Sequence, residues 1–263
     1  MRIPDVHGAL IDVDGTLLAG DAAIPGAAEA LRRLRERGIL FRLATNTTRR
    51  PRAAIAEALG RAGIDVSPAE IVIPASLACR RITDSGRRRA ALLIPESARI
   101  DLPGVEQVDT SPDWVVVGDL GRGFTFDLLN QAFRWLGAGT PAQTRLLALH
   151  KNRFWQAGDE GIVLDAGPFV AALEYASGVE AEVVGKPSPS FFELALADLG
   201  VPAGDVLCIG DSLVNDCLGA ARAGCRTALV RTGIFDEEAL ARAPQRPDFV
   251  LDSIAQLPDR LDQ

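Results

Sequence analysis

Residues that commonly bind zinc are scarce in this 263-residue sequence, which has four cysteines and two histidines, His7 and His150. None of the cysteines forms a C-x-x-C pair, the spacing that many structural zinc sites use. Long apolar segments are also missing. No run approaches the ~20 apolar residues that a membrane helix needs, and the residues after Met1 do not resemble a signal peptide. We therefore expect a cytoplasmic protein with no zinc site and no membrane partner.

Positive charge is a further deficit, since the formal net charge is -7. Nucleic-acid-binding domains usually carry a basic surface, so we expect no nucleic-acid partner. Lysine is especially rare: Lys151 and Lys186 are the two lysines among 28 basic residues. Because a guanidinium does not replace a compact ammonium on a flexible stem, both positions are candidates for a functional role. Chance retention is the equal alternative for each.

Short apolar runs that alternate with helix-like segments are, in contrast, plentiful. Several runs are continuous, as in parallel strands that are covered on both faces. The amphipathic stretches 27–37 and 190–199 are each followed by a glycine, which is a helix stop signal. This order predicts an α/β protein with a doubly wound, Rossmann-like, mostly parallel sheet. The predicted strands are Ala9–Asp12, Leu40–Thr45, Ala91–Ile94, Trp114–Val117, Leu146–Leu149, Glu182–Val184, Val206–Gly210, Thr227–Val230 and Phe249–Leu251.

The alternation restarts in the middle of the chain. Between about residue 75 and residue 181 it has strands of its own, while the motifs described next lie on either side of this segment. We therefore predict a core domain of residues 1–75 and 182–263, interrupted by a smaller inserted α/β domain of residues 76–181.

The most informative motif is Asp12-Val13-Asp14-Gly15-Thr16-Leu17, which directly follows the apolar run Ala9–Ile11. Two carboxylates at the end of a strand can divide the work of a reaction. One can attack a substrate or bind a metal ion while the other moves a proton.

Polar side chains also follow three further predicted strands. They are Thr45 and Asn46 at the end of Leu40–Thr45, Lys186 shortly after Glu182–Val184, and Asp211, with Asp216 further along, after Val206–Gly210. Each group has an ordinary alternative: Thr47 or Thr48 as a helix cap, Lys186 as a surface lysine, and Asp211 as a helix cap.

Four strand ends of this kind predict one shared crevice, because open parallel sheets bind ligands outside the carboxyl ends of their strands. Thr45 and Asn46 can bind phosphoryl oxygens, and Lys186 can neutralise them. Asp211 can complete a Mg²⁺ site with the first motif, since Mg²⁺ prefers carboxylate and phosphate oxygens. Asp216 can hold Lys186 or a metal-bound water. The combination predicts phosphoryl transfer.

The motifs Asp12-x-Asp14-Gly15-Thr16, Thr45-Asn46, Gly185-Lys186-Pro187 and Gly210-Asp211-x-x-x-x-Asp216 resemble the haloacid dehalogenase (HAD) superfamily of phosphohydrolases. The insert resembles the C2-type cap of subfamily IIA, the NagD-like enzymes. Other segments, including His150-Lys151-Asn152-Arg153 and Val230-Arg231-Thr232-Gly233, resemble one branch of that subfamily. This branch contains HAD-like hydrolase domain-containing protein 2 and phospholysine phosphohistidine inorganic pyrophosphate phosphatase.

The resemblance implies a Mg²⁺-dependent phosphatase that hydrolyses small phosphorylated metabolites through an aspartyl-phosphate. It implies Asp12 as the nucleophile and Asp14 as the acid and base, with Mg²⁺ held by Asp12, the Asp14 backbone carbonyl and Asp211. The loop with Lys151 and Asn152 matches the position of the subfamily's substrate-specificity loop, and a plain polar turn is the equal alternative. Relatives often pair through their caps, so a homodimer through the cap is a candidate assembly.

Several activities stay open on the sequence alone. They are a phosphoramidate or pyrophosphate hydrolase, a phosphomutase, and a weakly active binding protein of the same fold. A haloacid dehalogenase proper is disfavoured, because its chemistry does not call for Asp14, Asp211 or Mg²⁺.

Overall fold

The computed structural model describes residues 3–4, 6–137, 143–156 and 160–261. The strands in these ranges are β1 (Gly8–Ile11), β2 (Leu18–Ala19), β3 (Ala22–Ala23), β4 (Leu40–Ala44), β5 (Ile71–Val72), β6 (Arg89–Leu93), β7 (Glu106–Gln107), β8 (Trp114–Val117), β9 (Arg145–Ala148), β10 (Phe154–Gln156), β11 (Ile162–Leu164), β12 (Glu182–Val183), β13 (Val206–Gly210), β14 (Arg226–Val230) and β15 (Phe249–Leu251). The α-helices are α1 (Ala27–Glu36), α2 (Arg52–Arg61), α3 (Pro74–Asp84), α4 (Phe126–Trp135), α5 (Ala166–Ser177), α6 (Pro189–Leu199), α7 (Gly219–Arg222), α8 (Glu237–Ala241) and α9 (Leu257–Arg260). None of these described helices is both long and apolar enough to cross a bilayer.

The chain divides into two compact units. The first unit comprises Met1–Thr45, Arg52–Val72 and Lys186–Gln263, and the second comprises Asn46–Pro51 and Ile73–Gly185. Residues 46–51, 73–75 and 182–185 therefore group with the second unit and not, as predicted, with the core. Local contacts explain this: β12 pairs with β9, and the Thr48 hydroxyl contacts His150. That the two units are a catalytic core and a cap stays a prediction.

A six-stranded parallel sheet forms the centre of the first unit, in the order β15-β14-β13-β1-β4-β5. All four residues of β1 are buried, as expected for a strand covered on both faces. Phe191 and Phe192 of α6 are fully buried and belong to one apolar cluster with Leu10 and Cys208. Burial of each such side chain contributes about 1.5–3 kcal/mol. The predicted doubly wound, mostly parallel α/β sheet is confirmed.

The second unit contains a five-stranded parallel sheet in the order β12-β9-β8-β6-β7, together with the antiparallel hairpin β10–β11. Ala132 and Leu136, at the C-terminal end of α4, are buried in an apolar cluster with Val115 of β8 and Val170 of α5. The second unit therefore has a core of its own.

Each predicted strand is present, with ends that agree within two residues. Sequence patterns missed the shortest elements, among them β5 and the hairpin β2–β3, which have two residues per strand. Two residues carry no periodicity, so such strands exist only because a neighbouring strand pairs with them.

Candidate active site

Three adjacent strands of the first unit end at the same edge of the sheet. Since β4, β1 and β13 are parallel neighbours, Thr45, Asp12 and Asp211 directly follow strands whose carboxyl ends lie together. The chain order also reverses at β1, with β4 and β5 on one side and β13 to β15 on the other. Open α/β sheets bind ligands at such a switch point, so the predicted convergence has a topological cause.

Asp12 is buried at the centre of this edge, with 7% of its surface exposed. Its Oδ1 atom accepts a hydrogen bond from Lys186 Nζ at 2.7 Å, and Oδ2 accepts one from Thr16 Oγ1 at 3.2 Å. Burial raises the pKa of Asp12 well above its ordinary value, and repulsion from Asp216 and Asp211 adds to this, while Lys186 opposes it. The charged form of Asp12 therefore depends on nearby positive charge.

Lys186 supplies part of that charge from a position that is 3% exposed. Besides Asp12, its ammonium donates to the Ala44 carbonyl at 2.7 Å and to Asp216 Oδ1 at 2.6 Å. Burial by itself lowers the pKa of Lys186, but the Asp12 and Asp216 carboxylates outweigh it and raise the pKa above the ordinary value. The surface-lysine alternative is wrong, and Lys186 is a permanent cation rather than a proton donor.

Asp12, Asp211 and Asp216 are all buried, and each offers a carboxylate oxygen within 4.8 Å of the others. Burial, followed by the charge of Asp216, raises the pKa of Asp211 to about 7. Asp216 already uses Oδ1 for Lys186 and accepts the Ser212 N–H at 3.0 Å with Oδ2. Three crowded acids beside one ammonium fit a site for a hard divalent cation such as Mg²⁺. Because both oxygens of Asp216 are already bonded, Asp12 and Asp211 would be the better placed ligands.

Two glycines allow the Asp211 carboxylate to lie against the first loop. Gly15 has φ +86° and Gly233 has φ +60°, and a Cβ atom would lie 2.0 Å or 1.8 Å from Asp211 Oδ2, respectively. The same oxygen accepts the Ile234 N–H at 2.7 Å, and Thr232 Oγ1 donates to the Gly15 carbonyl at 2.5 Å. Sequence reasoning assigned no role to Thr232 or Gly233. Their position just after a predicted strand of the same sheet is the signal that could have found them.

Gly15→Ala is expected to weaken Mg²⁺ binding by about 10- to 100-fold, because the methyl group would displace Asp211. Titration calorimetry with Mg²⁺ measures this directly. Gly20→Ala is the matched control, since Gly20 also has a positive φ, +63°, but open space around its Cα. Equal losses in the two variants would mean that backbone strain, and not the contact with Asp211, sets the affinity.

Asp14 and Thr45 also meet at this edge. Asp14 is exposed, and its Oδ2 atom accepts a long hydrogen bond of 3.4 Å from the buried hydroxyl of Thr45. An exposed carboxylate two residues after a buried one can exchange protons with water or a substrate. The first motif thus combines a buried acid and an accessible acid.

Both helix-cap alternatives are wrong. Helix α2 begins at Arg52, and the Thr48 hydroxyl instead accepts the Asp119 N–H at 2.8 Å and contacts His150 Nε2 at 3.2 Å. The π-helix Leu213–Leu218 is capped by Ser212, which accepts the Asn215 N–H, so Asp211 does not cap it.

The remaining predicted site residues, Asn46, Lys151 and Asn152, belong to the second unit. Lys151 Nζ donates to both carboxylate oxygens of Glu174, at 3.1 and 2.8 Å. The Asn152 carbonyl accepts the Gly167 N–H at 2.9 Å, which fixes the loop against the start of α5. Lys151 is therefore part of an ion pair, which the sequence did not predict.

His150, at the start of this loop, is 2% exposed. Burial lowers its pKa to about 4, and the Asp119 carboxylate opposes the shift only in part. As the pH falls, His150 is protonated in the unfolded chain at about pH 6.5 but in the folded protein only at about pH 4. The contribution of neutral His150 to the free energy of unfolding is therefore lost as the pH falls from about 6.5 to 4. We expect the loss to reach about 3 kcal/mol.

Urea unfolding between pH 7 and pH 4 measures the effect, and the His150→Gln variant should lack this part of the slope. His7→Gln is the control, because the His7 side chain is 70% exposed. A slope that is the same in both variants would exclude His150 as its source.

Two family models of haloacid dehalogenase-like hydrolases match the two chain segments that carry Asp12 and Asp211. One model, described as haloacid dehalogenase-like hydrolase, matches residues 9–104, and a second, described as HAD-hydrolase-like, matches residues 183–257. Phospholysine phosphohistidine inorganic pyrophosphate phosphatase from Bos taurus is 40% identical over 99% of this chain and 96% of its own length. The chain belongs to the haloacid dehalogenase-like hydrolases. Haloacid dehalogenase-like hydrolase domain-containing protein 2 from Bos taurus is also 40% identical, over 91% of this chain and 90% of its own.

Solved structures of this hydrolase family agree with the subfamily predicted from the motifs. The 4-nitrophenylphosphatase of Thermotoga maritima matches with a TM-score of 0.88 and 28% identity, over 97% of each chain. NagD from E. coli matches with a TM-score of 0.86 and 26% identity, over 95% of this chain and 98% of its own. The predictions of a NagD-like hydrolase and of an enzyme of the phosphatase class are confirmed.

Proposed function

We propose that this chain is a Mg²⁺-dependent phosphatase that hydrolyses phosphate monoesters of small metabolites through an aspartyl-phosphate on Asp12. The observation that carries the proposal is the buried group of Asp12, Asp211 and Asp216 at the carboxyl edge of a parallel sheet, in which Asp12 and Asp216 bind Lys186 Nζ. Relatives that are named phosphatases support the same class of reaction.

The site residues divide the reaction among them. The Asp12 carboxylate attacks phosphorus, with Lys186 and Thr16 orienting its two oxygens. Asp14 gives a proton to the leaving oxygen and then takes one from the water that hydrolyses the aspartyl-phosphate. Thr45 and the Asn46 N–H bind the phosphoryl oxygens.

The same acids fit a bound cation. Asp12, the Asp14 backbone carbonyl and Asp211 would hold Mg²⁺, which when bound neutralises charge on the phosphoryl group. Lys186 adds a fixed positive charge, and Asp216 holds that lysine in place. Phosphoryl transfer depends on such positioning and charge stabilisation more than on covalent help, and these residues would supply both.

The second unit acts as the cap in this proposal, with Lys151 and Asn152 contacting the leaving group. We propose a small phosphorylated metabolite as the partner, with no nucleic acid or membrane, and a cytoplasmic protein that forms a homodimer through the cap. The acidic net charge of -7 supports the absence of a nucleic-acid partner.

Hydrolysis of phosphoramidates or pyrophosphate is a second candidate function. It is favoured by the relative from Bos taurus, which is named for phospholysine, phosphohistidine and inorganic pyrophosphate and is 40% identical over 99% of this chain. The same nucleophile and cation would serve both reactions, and the leaving atom would be nitrogen or a phosphate oxygen.

Phosphate release from a panel of monoesters, pyrophosphate and phospholysine tests the proposal, with Mg²⁺ or with EDTA. We expect Mg²⁺-dependent release, and the preferred substrate separates the two candidates. Phosphorus NMR of the products distinguishes hydrolysis from transfer to a second hydroxyl, which would indicate a phosphomutase. A wild-type protein that is inactive on the whole panel would contradict the proposal and favour a binding protein.

A further inference from the structure

The ion pair between Lys151 and Glu174 is held firmly from the glutamate side. Glu174 Oε1 also accepts the backbone N–H of Ala181 at 3.0 Å, and its side chain is only 19% exposed. Glu174 lies on α5, which is anchored in the core of the second unit by Val170 and Leu173. The carboxylate is therefore a fixed negative charge beside the lysine.

The backbone of Lys151 packs closely against Gly167 of α5. A Cβ atom on Gly167 would lie 2.6 Å from the Lys151 carbonyl oxygen, and the neighbouring His150 is buried against Thr48. The side chain itself is 38% exposed and borders an open groove together with Arg153 and Pro168. A ligand can therefore reach the Lys151 ammonium, to which the Glu174 carboxylate is already bonded.

We propose that Glu174 is a specificity-determining positioning residue, which neutralises Lys151 and thereby disfavours leaving groups that carry an extra negative charge. The inference rests on the proposed function, in which the loop of Lys151 contacts the leaving group. An anionic leaving group must displace the Glu174 carboxylate from the ammonium and is repelled by it, whereas a neutral or cationic one is not. The favoured substrates are phosphate monoesters or phosphoramidates of neutral or cationic leaving groups.

Two matched esters measure this preference: 4-carboxyphenyl phosphate, with a charged leaving group, and 4-carbamoylphenyl phosphate, its neutral counterpart. In Glu174→Gln the side chain keeps an oxygen for the Ala181 N–H but loses its charge. We expect the ratio of kcat/KM values, charged over neutral ester, to rise by about twofold to fivefold, which lies within the range for partly exposed ion pairs. The change should appear in KM and not in kcat, because the contact is the same in the ground state and the transition state.

Glu182→Gln is the matched control, since Glu182 pairs with Arg81 at 2.7 Å in the same unit and is 38% exposed. Its ratio should equal that of the wild type. In the double variant Glu174→Gln and Lys151→Gln the ratio should return to about the wild-type value, because both charges are gone. An unchanged ratio in Glu174→Gln, or an equal rise in Glu182→Gln, would overturn the inference.

Failure of the proposed function has a different signature. A wild-type protein that releases phosphate from neither ester would contradict the phosphatase proposal, whatever the variants do. Titration calorimetry of the two esters with the inactive wild type and with Glu174→Gln then decides the inference through the ratio of association constants, charged over neutral ester. A rise of about twofold or more supports the role of Glu174, and a smaller rise overturns it.

Discussion

Asp12→Asn is expected to lower kcat for phosphate release by at least about 10³-fold, the largest loss among the site substitutions. An amide oxygen is a poor nucleophile and cannot form the aspartyl-phosphate. The protein should stay folded, because the substitution removes a buried charge of raised pKa and preserves the shape of the side chain. Steady-state phosphate release with saturating Mg²⁺ measures the loss, and urea unfolding checks the fold.

Asp198→Asn is the control for this substitution. Asp198 lies in the same unit on α6, where its carboxylate is exposed and bonded to Arg42, away from the site. We expect its kcat to stay within about twofold of the wild type, as for a surface substitution. Turnover by Asp12→Asn within tenfold of the wild type would exclude Asp12 as the nucleophile.

Lys186→Met is expected to destabilise the protein by about 3–5 kcal/mol at pH 7 in EDTA, in addition to impairing turnover. Removal of the ammonium leaves Asp12 and Asp216 buried beside each other without their shared cation. Breaking a buried ion pair on one side is costly because the remaining charge cannot be solvated. Urea unfolding in EDTA measures the difference.

The loss of unfolding free energy in Lys186→Met should become smaller as the pH is lowered. Lys186 is the group that lowers the pKa of Asp12, so its loss raises that pKa further above the unfolded value of about 3.9. An acid whose pKa is higher in the folded than in the unfolded state binds its proton more tightly in the folded state. The free energy of unfolding therefore falls as the pH rises through the interval between the two pKa values, and it recovers as the pH is lowered. Added Mg²⁺ should offset part of the deficit at pH 7.

The chain offers its other lysine as the control. Lys151→Met also removes an ion-paired ammonium, but the pair with Glu174 is partly exposed, so we expect a loss below about 1 kcal/mol. Similar losses in the two lysine variants, or a Lys186→Met protein as stable as the wild type in EDTA at pH 7, would contradict the structural role of Lys186.

Local sequence patterns were sufficient to predict the parallel sheet and the carboxyl edge at which the candidate site lies. Continuous apolar runs mark strands that are buried on both faces, and residues directly after such strands share one edge of the sheet. Asp12, Thr45 and Asp211 could therefore be placed together before any contact was known. The family resemblance extended this to the class of reaction.

Contacts between distant segments could not be predicted in this way. Lys186 follows the short strand β12 and reaches Asp12 across 174 positions of sequence. The crowding of Gly15 and Gly233 against Asp211 depends on two loops that meet only in the folded chain. The pairing of Lys151 with Glu174 depends on how α5 packs behind the loop.

Periodicity and position relative to strand ends can be read from the sequence, so the strands, the sheet edge and the candidate acids and lysine could be predicted. Which charges neutralise one another became visible only in the folded chain, since a side chain's partner depends on packing between remote segments. In the folded chain Lys186 is the cation shared by Asp12 and Asp216, and Lys151 is bonded to Glu174, whose effect on the leaving group we propose.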